Sequence, residues 1–244
     1  MEKLYPESKF IDIEENLKVI RENIAEAAIK SGRKPEDIHF MAVTKTIEPM
    51  YINHALENGI DLIGENRVQE FLEKEPDLKL DNVKAHLIGH LQSNKAKKIV
   101  GKVDVIQSVD TVNIANEIAK HANNLGITQK VLIEINAGCE WSKFGFDIAE
   151  VKEKVHEISE IKGIDIQGLM CVAPICENTA DLMQIFNNMY NKFIDIKAEN
   201  WDNVNMNILS MGMSGDYQEA ILGGANLVRV GSAIFGPRIY RDKH

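Results

Sequence analysis

Eight short apolar segments, separated by stretches of helical pattern, run along the whole chain. Each of the first seven is followed by a segment that can form a helix. The strand candidates are HFMAVTK (39–45), DLIGEN (61–66), AHLIGH (85–90), VDVIQSVD (103–110), KVLIEINAG (130–138), IDIQGLMCV (164–172), MNILSMG (206–212) and LVRVGSAIFG (227–236). Near-continuous apolar strands that alternate with helices indicate parallel strands covered on both faces.

The number of strands and the length of the chain favour a closed barrel. The chain has 244 residues, and (β/α)8 barrels typically need about 250. An open doubly wound sheet is the alternative, although it usually has fewer strands in this length. Apolar residues at helical spacing predict an extra helix over 8–32, before the first strand. Because no linker rich in Pro, Gly or Ser interrupts the pattern, residues 1–244 are predicted to form one α/β barrel domain.

Composition argues against several classes of protein. The net charge of −9, from 28 basic and 37 acidic residues, argues against a nucleic-acid partner. No apolar stretch is long enough to predict a membrane-spanning helix, and the N-terminus lacks the apolar core of a signal peptide. Cys139, Cys171 and Cys176 are sparse and odd in number, which fits a reducing cytoplasm and predicts neither disulfides nor a metal site.

Lys45 ends the first strand candidate, at the edge where barrel enzymes place their chemistry. Met41, Val43 and Lys45 share one face of that strand, so Lys45 points into the barrel mouth if the two apolar residues face the interior. Burial would lower the pKa of its amine and make it a nucleophile for an aldehyde. Taken alone, a solvated lysine at the end of a strand explains the residue better.

The last two strand candidates carry an arginine and two clusters of small residues. Arg229 lies within a strongly apolar strand and should be paired, because an unpaired buried charge is very costly. Ser210, Ser214, Gly231 and Ser232 supply hydroxyls and close backbone approach where barrels often bind phosphate. A tight turn would explain either cluster alone. Since neither a G-x-x-x-x-G-K-[ST] nor a G-x-G-x-x-G pattern occurs there, a single phosphate monoester is the predicted anion.

A lysine for an aldehyde, a phosphate site and an interior arginine together suggest pyridoxal 5′-phosphate (PLP). The chain here resembles the pyridoxal phosphate homeostasis protein family, which is related in fold to the N-terminal barrel of alanine racemase. The resemblance runs over nearly the whole chain and rests on these segments: AVTK (42–45), GENRVQE (64–70), HLIGHLQSNK (86–95), QSVD (107–110), NAGCEWSKFG (136–145), GLM (168–170), SMGMSGD (210–216) and VRVGSAIFG (228–236).

The resemblance implies a role for each candidate residue. It implies that Lys45 forms the internal aldimine with PLP and that Arg229 faces the pyridine nitrogen. It further implies that the phosphate is held by Ser210, Ser214, Gly231 and Ser232, and that Asn66 lines the cofactor. Lys143, which follows the fifth strand candidate, is a candidate for a transient second link to PLP during exchange.

The same residues argue for a binding protein over an enzyme. A guanidinium cannot give the pyridine nitrogen a proton, so the ring would be a weak electron sink. Racemisation would need a second base besides Lys45, and Tyr217 and Tyr240 are better explained as packing or surface residues. We therefore expect a monomeric, cytoplasmic PLP-binding protein of vitamin B6 homeostasis that buffers PLP or delivers it to apo-enzymes. A PLP-dependent amino-acid racemase, or a barrel enzyme acting on a phosphorylated sugar, remain the alternatives.

Overall fold

The computed structural model describes residues 6–138, 144–176 and 178–237. Eight strands alternate with helices along these residues. The strands are β1 (His39–Val43), β2 (Leu62–Glu65), β3 (Lys84–Leu87), β4 (Val105–Val109), β5 (Gln129–Ile135), β6 (Ile164–Cys171), β7 (Val204–Ser210) and β8 (Leu227–Val230). The helices are α1 (Glu7–Lys30), α2 (Pro49–Glu57), α3 (Val68–Lys74), α4 (Ser93–Ile99), α5 (Val112–Leu125), α6 (Val151–Ser159), α7 (Thr179–Lys197), α8 (Tyr217–Leu222) and α9 (Ser232–Phe235).

The strands form a closed parallel barrel in chain order, from β1 to β8. Closure comes from the pairing of β1 with β8, in which Met41 lies opposite Arg229. The predicted (β/α)8 barrel with an extra N-terminal helix is confirmed. Because all strands are parallel, all their carboxyl ends open at one mouth.

Side chains alternate between the barrel interior and the layer of helices. Two small interior clusters form around Met41, Leu62 and Leu227, and around Val105, Leu132 and Met170. The residues between them point outward and join one large cluster with the helices, which includes Ala42 and Ile63. This alternation places Met41 on the interior face of β1. The prediction that Lys45 points into the barrel mouth required Met41 to lie on that face.

Helix α1 covers the side of the barrel where the chain closes. Its buried stripe is Ile13, Leu17, Ile20, Ile24, Ala27 and Ala28, which are spaced by three or four residues as an amphipathic helix requires. Asn16 donates a hydrogen bond to the Ile234 carbonyl at 3.0 Å, which ties α1 to α9. Among the helices of the described residues, none combines the length and apolar character needed to cross a bilayer.

All eight strands end before the segments predicted for them, and the differences at β1 and β8 bear on the site. β1 ends at Val43, so Lys45 lies in the turn that follows it. The eighth strand was predicted to extend to Gly236, and this is wrong, because β8 ends at Val230 and 232–235 form α9. The cause is local: the backbone leaves the extended conformation at Gly231, whose carbonyl accepts hydrogen bonds from the Ile234 and Phe235 N–H groups.

Candidate functional site

Lys45 lies in a sharp turn at the barrel mouth. It is half-buried and stands between Thr44, which is buried, and Thr46, whose φ of 65° is left-handed. A left-handed backbone is unfavourable for a β-branched residue and persists only where neighbouring groups hold it. The turn is therefore held by contacts outside itself.

A cluster of charged side chains supplies those contacts. The Lys74 amine donates to the Thr44 carbonyl at 2.9 Å, to Glu65 at 3.0 Å and to Glu70 at 2.6 Å, which uses all three of its donors. Glu70 also accepts a hydrogen bond from the Thr46 N–H, on the other side of Lys45. Burial raises the pKa of Glu65, and the nearby Lys74 cation opposes this rise. We call Glu65, Glu70 and Lys74 the turn clamp.

Asn66 follows β2 and is placed by a close approach of two loops. Its N–H donates to the Glu65 carboxylate at 2.8 Å. A Cβ added to Gly89, in the loop after β3, would lie 2.1 Å from the Asn66 carbonyl oxygen. Only glycine therefore lets the loop after β3 pass this close to Asn66.

Arg229 lies on the inner face of β8, with 4% of its surface exposed. Its guanidinium donates to the Ser210 hydroxyl at 2.6 Å and to the Cys171 carbonyl at 2.7 Å. Among the described residues, no carboxylate lies within ion-pair distance of it. Burial is the main influence on its pKa and lowers it, while Glu134 and Asp216 are among the groups that raise it.

The sequence predicted that Ser210 contacts the phosphate. The structure shows Ser210 fully buried inside the barrel. Its hydroxyl accepts from Arg229 and donates to the Gln107 amide oxygen at 2.7 Å. Gln107 in turn lies 2.8 Å from Nδ1 of His86. Sequence reasoning missed the roles of Gln107 and His86, although both lie in segments that carry the family resemblance.

The other phosphate candidates lie together at the mouth. The Ser214 hydroxyl accepts hydrogen bonds from the N–H groups of Gly231 at 3.1 Å and of Ala233 at 3.3 Å. Ser232 is exposed beside them. Gly212 holds the preceding turn with a φ of +91°. Backbone N–H groups and hydroxyls that converge in this way are suited to an oxyanion.

Three further ionisable side chains border the mouth. Glu134, near the end of β5, has its pKa raised to about 7, first by burial and then by the charge of Asp110, while Arg229 opposes the rise. His90, after β3, lies 2.7 Å from Asp110 through its Nδ1 atom and stacks on Phe144, with 3.7 Å between the ring centroids. The sequence placed His90 and Asp110 at strand ends but did not single out Glu134, whose alternation with Leu132 on β5 was an available signal.

The candidate residues are brought together on one side of the barrel. These residues lie near the carboxyl ends of β7, β8, β1 and β2 or in the loops that follow them, and the four strands are consecutive neighbours in the closed sheet. The residues are Lys45, Asn66, Ser210, Ser214, Arg229, Gly231 and Ser232. Tyr217 is buried in the core, where its hydroxyl accepts from Asn23 of α1 at 2.9 Å, so of the two roles predicted for it, packing or surface, it has the packing one. Lys143 and Tyr240 lie outside the described residues.

Comparisons with known proteins point in one direction. A family model for the alanine racemase N-terminal domain matches residues 16–239. The chain is 38% identical over 226 residues to the pyridoxal phosphate homeostasis protein of Aquifex aeolicus (strain VF5), covering 93% of this chain and 98% of that protein.

Two solved structures resemble this chain in fold over most of its length. An unknown protein from Bifidobacterium adolescentis has a TM-score of 0.91 and 32% sequence identity, covering 96% of this chain and 98% of that one. PipY of Synechococcus elongatus PCC7942, solved with PLP bound, has a TM-score of 0.80 and 31% identity, covering 92% of this chain and 100% of that one.

Proposed function

Because the chain belongs to the pyridoxal phosphate homeostasis protein family and carries its alanine racemase N-terminal domain, we propose that it binds PLP through Lys45 in intracellular vitamin B6 homeostasis. In this proposal residues 1–244 act as one PLP-binding barrel domain. The protein works in the cytoplasm as a monomer, and it buffers PLP or hands it to PLP-dependent apo-enzymes. Since its solved relative PipY is described with PLP bound, PLP is the ligand against which the site should be tested.

The surroundings of Arg229, where the pyridine ring of PLP would lie, fit a neutral hydrogen-bond acceptor. Arg229 is buried, and the two hydrogen bonds within the described residues leave three of its five N–H groups for a ligand. A pyridine nitrogen can accept one of them and would relieve part of the cost of burying this cation. Because a guanidinium keeps its own protons, the ring nitrogen would stay unprotonated. This supports a weak electron sink and a binding role.

The phosphate end fits an anion. The Ser214 oxygen accepts from the N–H groups of Gly231 and Ala233, so its hydroxyl hydrogen points elsewhere and can donate to an anion, as can the exposed Ser232 hydroxyl beside it. We propose that Ser214, Gly231 and Ser232 bind the phosphate. Ser210 serves the cofactor through Arg229, because its own hydroxyl is buried and already bonded on both sides.

The covalent end rests on Lys45. When bound, PLP supplies an aldehyde that condenses with a lysine amine and releases water. The turn clamp holds the peptide groups on both sides of Lys45, through the Thr44 carbonyl and the Thr46 N–H. Lys74 is a poor competitor for the aldehyde, since all three of its N–H groups are already donated to acceptors. Asn66 is proposed to line the cofactor beside this turn.

The position of Lys45 at the mouth carries the proposal, and a spectrum tests it. Purified protein with added PLP should absorb in the visible range, and borohydride reduction should then fix the mass of PLP on the chain. Lys45→Ala should lose both signals. Lys79→Ala, which removes an exposed lysine paired with Glu57, should keep both. Visible absorbance that survives in Lys45→Ala would overturn the assignment, and an adduct with the mass of a phosphorylated sugar would support that alternative.

A PLP-dependent amino-acid racemase is the second candidate, and one observation favours it. Glu134, with a pKa near 7, and the His90–Asp110 pair place proton-accepting groups at the mouth. A racemase should turn over an amino acid steadily, as measured by loss of optical rotation, and both Lys45→Ala and His90→Asn should stop it. If the loaded wild-type protein shows no turnover, this candidate is excluded.

A further inference from the structure

A chain of buried hydrogen bonds crosses the barrel interior beneath the mouth. It runs from Arg229 on β8 to Ser210 on β7, then to Gln107 on β4 and His86 on β3. The three distances are 2.6, 2.7 and 2.8 Å. All four side chains are almost fully buried. Buried polar groups at this depth are costly unless every partner matches, so the direction of each bond can be worked out.

The donor-only guanidinium sets the direction of the whole chain. Arg229 can only donate, so the Ser210 oxygen accepts from it. The Ser210 hydroxyl hydrogen then goes to the Gln107 amide oxygen, because a reversed Gln107 amide would leave that buried hydrogen without an acceptor among the described residues. The Gln107 NH2 group then faces His86, whose Nδ1 atom must accept. The proton of His86 therefore resides on Nε2, and the ring is neutral. Burial agrees with this result, because it lowers the pKa of His86 to about 3.

We propose that Gln107 and His86 are positioning residues that hold Arg229, through Ser210, in the orientation in which it meets the ring nitrogen of PLP. The inference rests on the proposed function for its ligand, but the hydrogen-bond direction does not. Only one set of directions pairs all four side chains, so the guanidinium cannot rotate without leaving a buried donor or acceptor unpaired. Because all members except Arg229 are neutral, the chain fixes the guanidinium without neutralising the charge that faces the ligand.

The direction can be tested without any cofactor. In protein labelled with ¹⁵N-histidine, NMR at pH 7 should show His86 as the neutral Nε2–H tautomer. In Gln107→Glu the carboxylate has no hydrogen to donate, so the proton should move to Nδ1 of His86. A wild-type His86 with its proton on Nδ1, or with both nitrogens protonated, would overturn the proposal, whether or not the variant folds.

The action on the ligand needs a comparison of two ligands. One is PLP, and the other is its 1-deaza analogue, in which a C–H group replaces the ring nitrogen. In Gln107→Met the dissociation constant of PLP should rise about tenfold, as expected when one charge-assisted hydrogen bond is misaligned. That of the deaza analogue should change less than about twofold. A merely structural effect would weaken both ligands equally, and that result would overturn the proposal.

Gln167→Met is the matched control. Gln167 lies on β6 and takes no part in the buried hydrogen bonds from Arg229 to His86. Its side chain forms hydrogen bonds with Asp165 and Asn207. Its substitution should leave the affinity of both ligands unchanged. If the wild-type protein binds no PLP, the proposed function fails, while the tautomer of His86 still decides the direction of the chain. Equal PLP affinity in Gln107→Met and in the wild type would overturn the positioning role.

Discussion

At the scale of single residues, burial is the main influence on the ionisable groups of this site. It raises the pKa of Glu65 and Glu134 and lowers those of His86 and Arg229. Nearby charges then adjust these values. Lys74 opposes the effect at Glu65, whereas Asp110 adds to it at Glu134. The pKa of a buried carboxyl group therefore depends on which neighbour the barrel places beside it.

Glu134 makes a prediction about pH and stability. Its pKa rises from 4.5 to about 7 on folding, so between these values the folded state binds a proton that the unfolded state has released. The stabilisation from this group is therefore fully present below pH 4.5 and is lost as the pH rises through 7. From pH 5 to pH 8 the free energy of unfolding of the wild type should fall by roughly 2 to 3 kcal/mol relative to Glu134→Gln.

Urea unfolding of both proteins at the two pH values measures this difference. Taking the difference removes the opposite effect of His86, which titrates in the same way in both proteins. Parallel pH profiles for the wild type and Glu134→Gln would contradict the prediction.

At the scale of elements, the pairing of β6 with β7 depends on one glycine. Gly168 lies where the register of β6 shifts against β7, with a φ of +150°. A Cβ added there would lie 1.8 Å from the Ile208 carbonyl oxygen on β7. The strand can bend here only because the residue is glycine.

Gly168→Ala should therefore destabilise the protein strongly, because the β6–β7 pairing must shift to admit the methyl group. We expect a loss of about 3 kcal/mol in the free energy of unfolding, measured in urea. Gly215→Ala is the control, since its Cβ meets no atom within 4 Å and its φ is not left-handed. It should change the stability by less than about 1 kcal/mol. Equal stability of the two variants would show that the bulge relaxes at little cost.

At the scale of the whole molecule, the first helix packs where the barrel closes. β1 and β8 come from opposite ends of the described chain, and α1 packs over their side of the barrel beside α8 and α9. Arg33, just after α1, donates to the carbonyls of Ile221, Gly224 and Ala225, where α8 ends and β8 is about to begin. One side chain thus links the start of the chain to its last strand.

Arg33→Met should loosen this closure. Removing a charged donor from several carbonyls should cost about 2 kcal/mol, which would speed hydrogen exchange at the β1–β8 amides about 30-fold if that edge opens locally. Arg21→Met is the control, because Arg21 is exposed and bonds only the Asn58 carbonyl among the described residues. It should leave the exchange at β1 and β8 unchanged. Slower or equal exchange in Arg33→Met would contradict a role in closure.

Much of this protein follows from the sequence by itself. The period of the apolar segments predicts strands and helices. Eight strands, the first seven of them followed by a helical segment, predict a (β/α)8 barrel in a chain of this length. Met41 and Lys45 on one face, together with Arg229 and the small residues after it, indicate PLP. These are local properties, because side-chain direction and turn chemistry depend on residues a few positions apart.

Other features were decided only by the tertiary structure. The turn clamp joins Thr44 to Lys74 across 30 positions in the sequence. The buried row of hydrogen bonds joins Gln107 to Ser210 across 103 positions. No periodicity in the sequence predicts such pairs, because they form only when the barrel closes and turns alternate side chains into one small interior. The sequence determined which strands would carry the site. Closure of the barrel decided which side chains hold Lys45 and Arg229 in place.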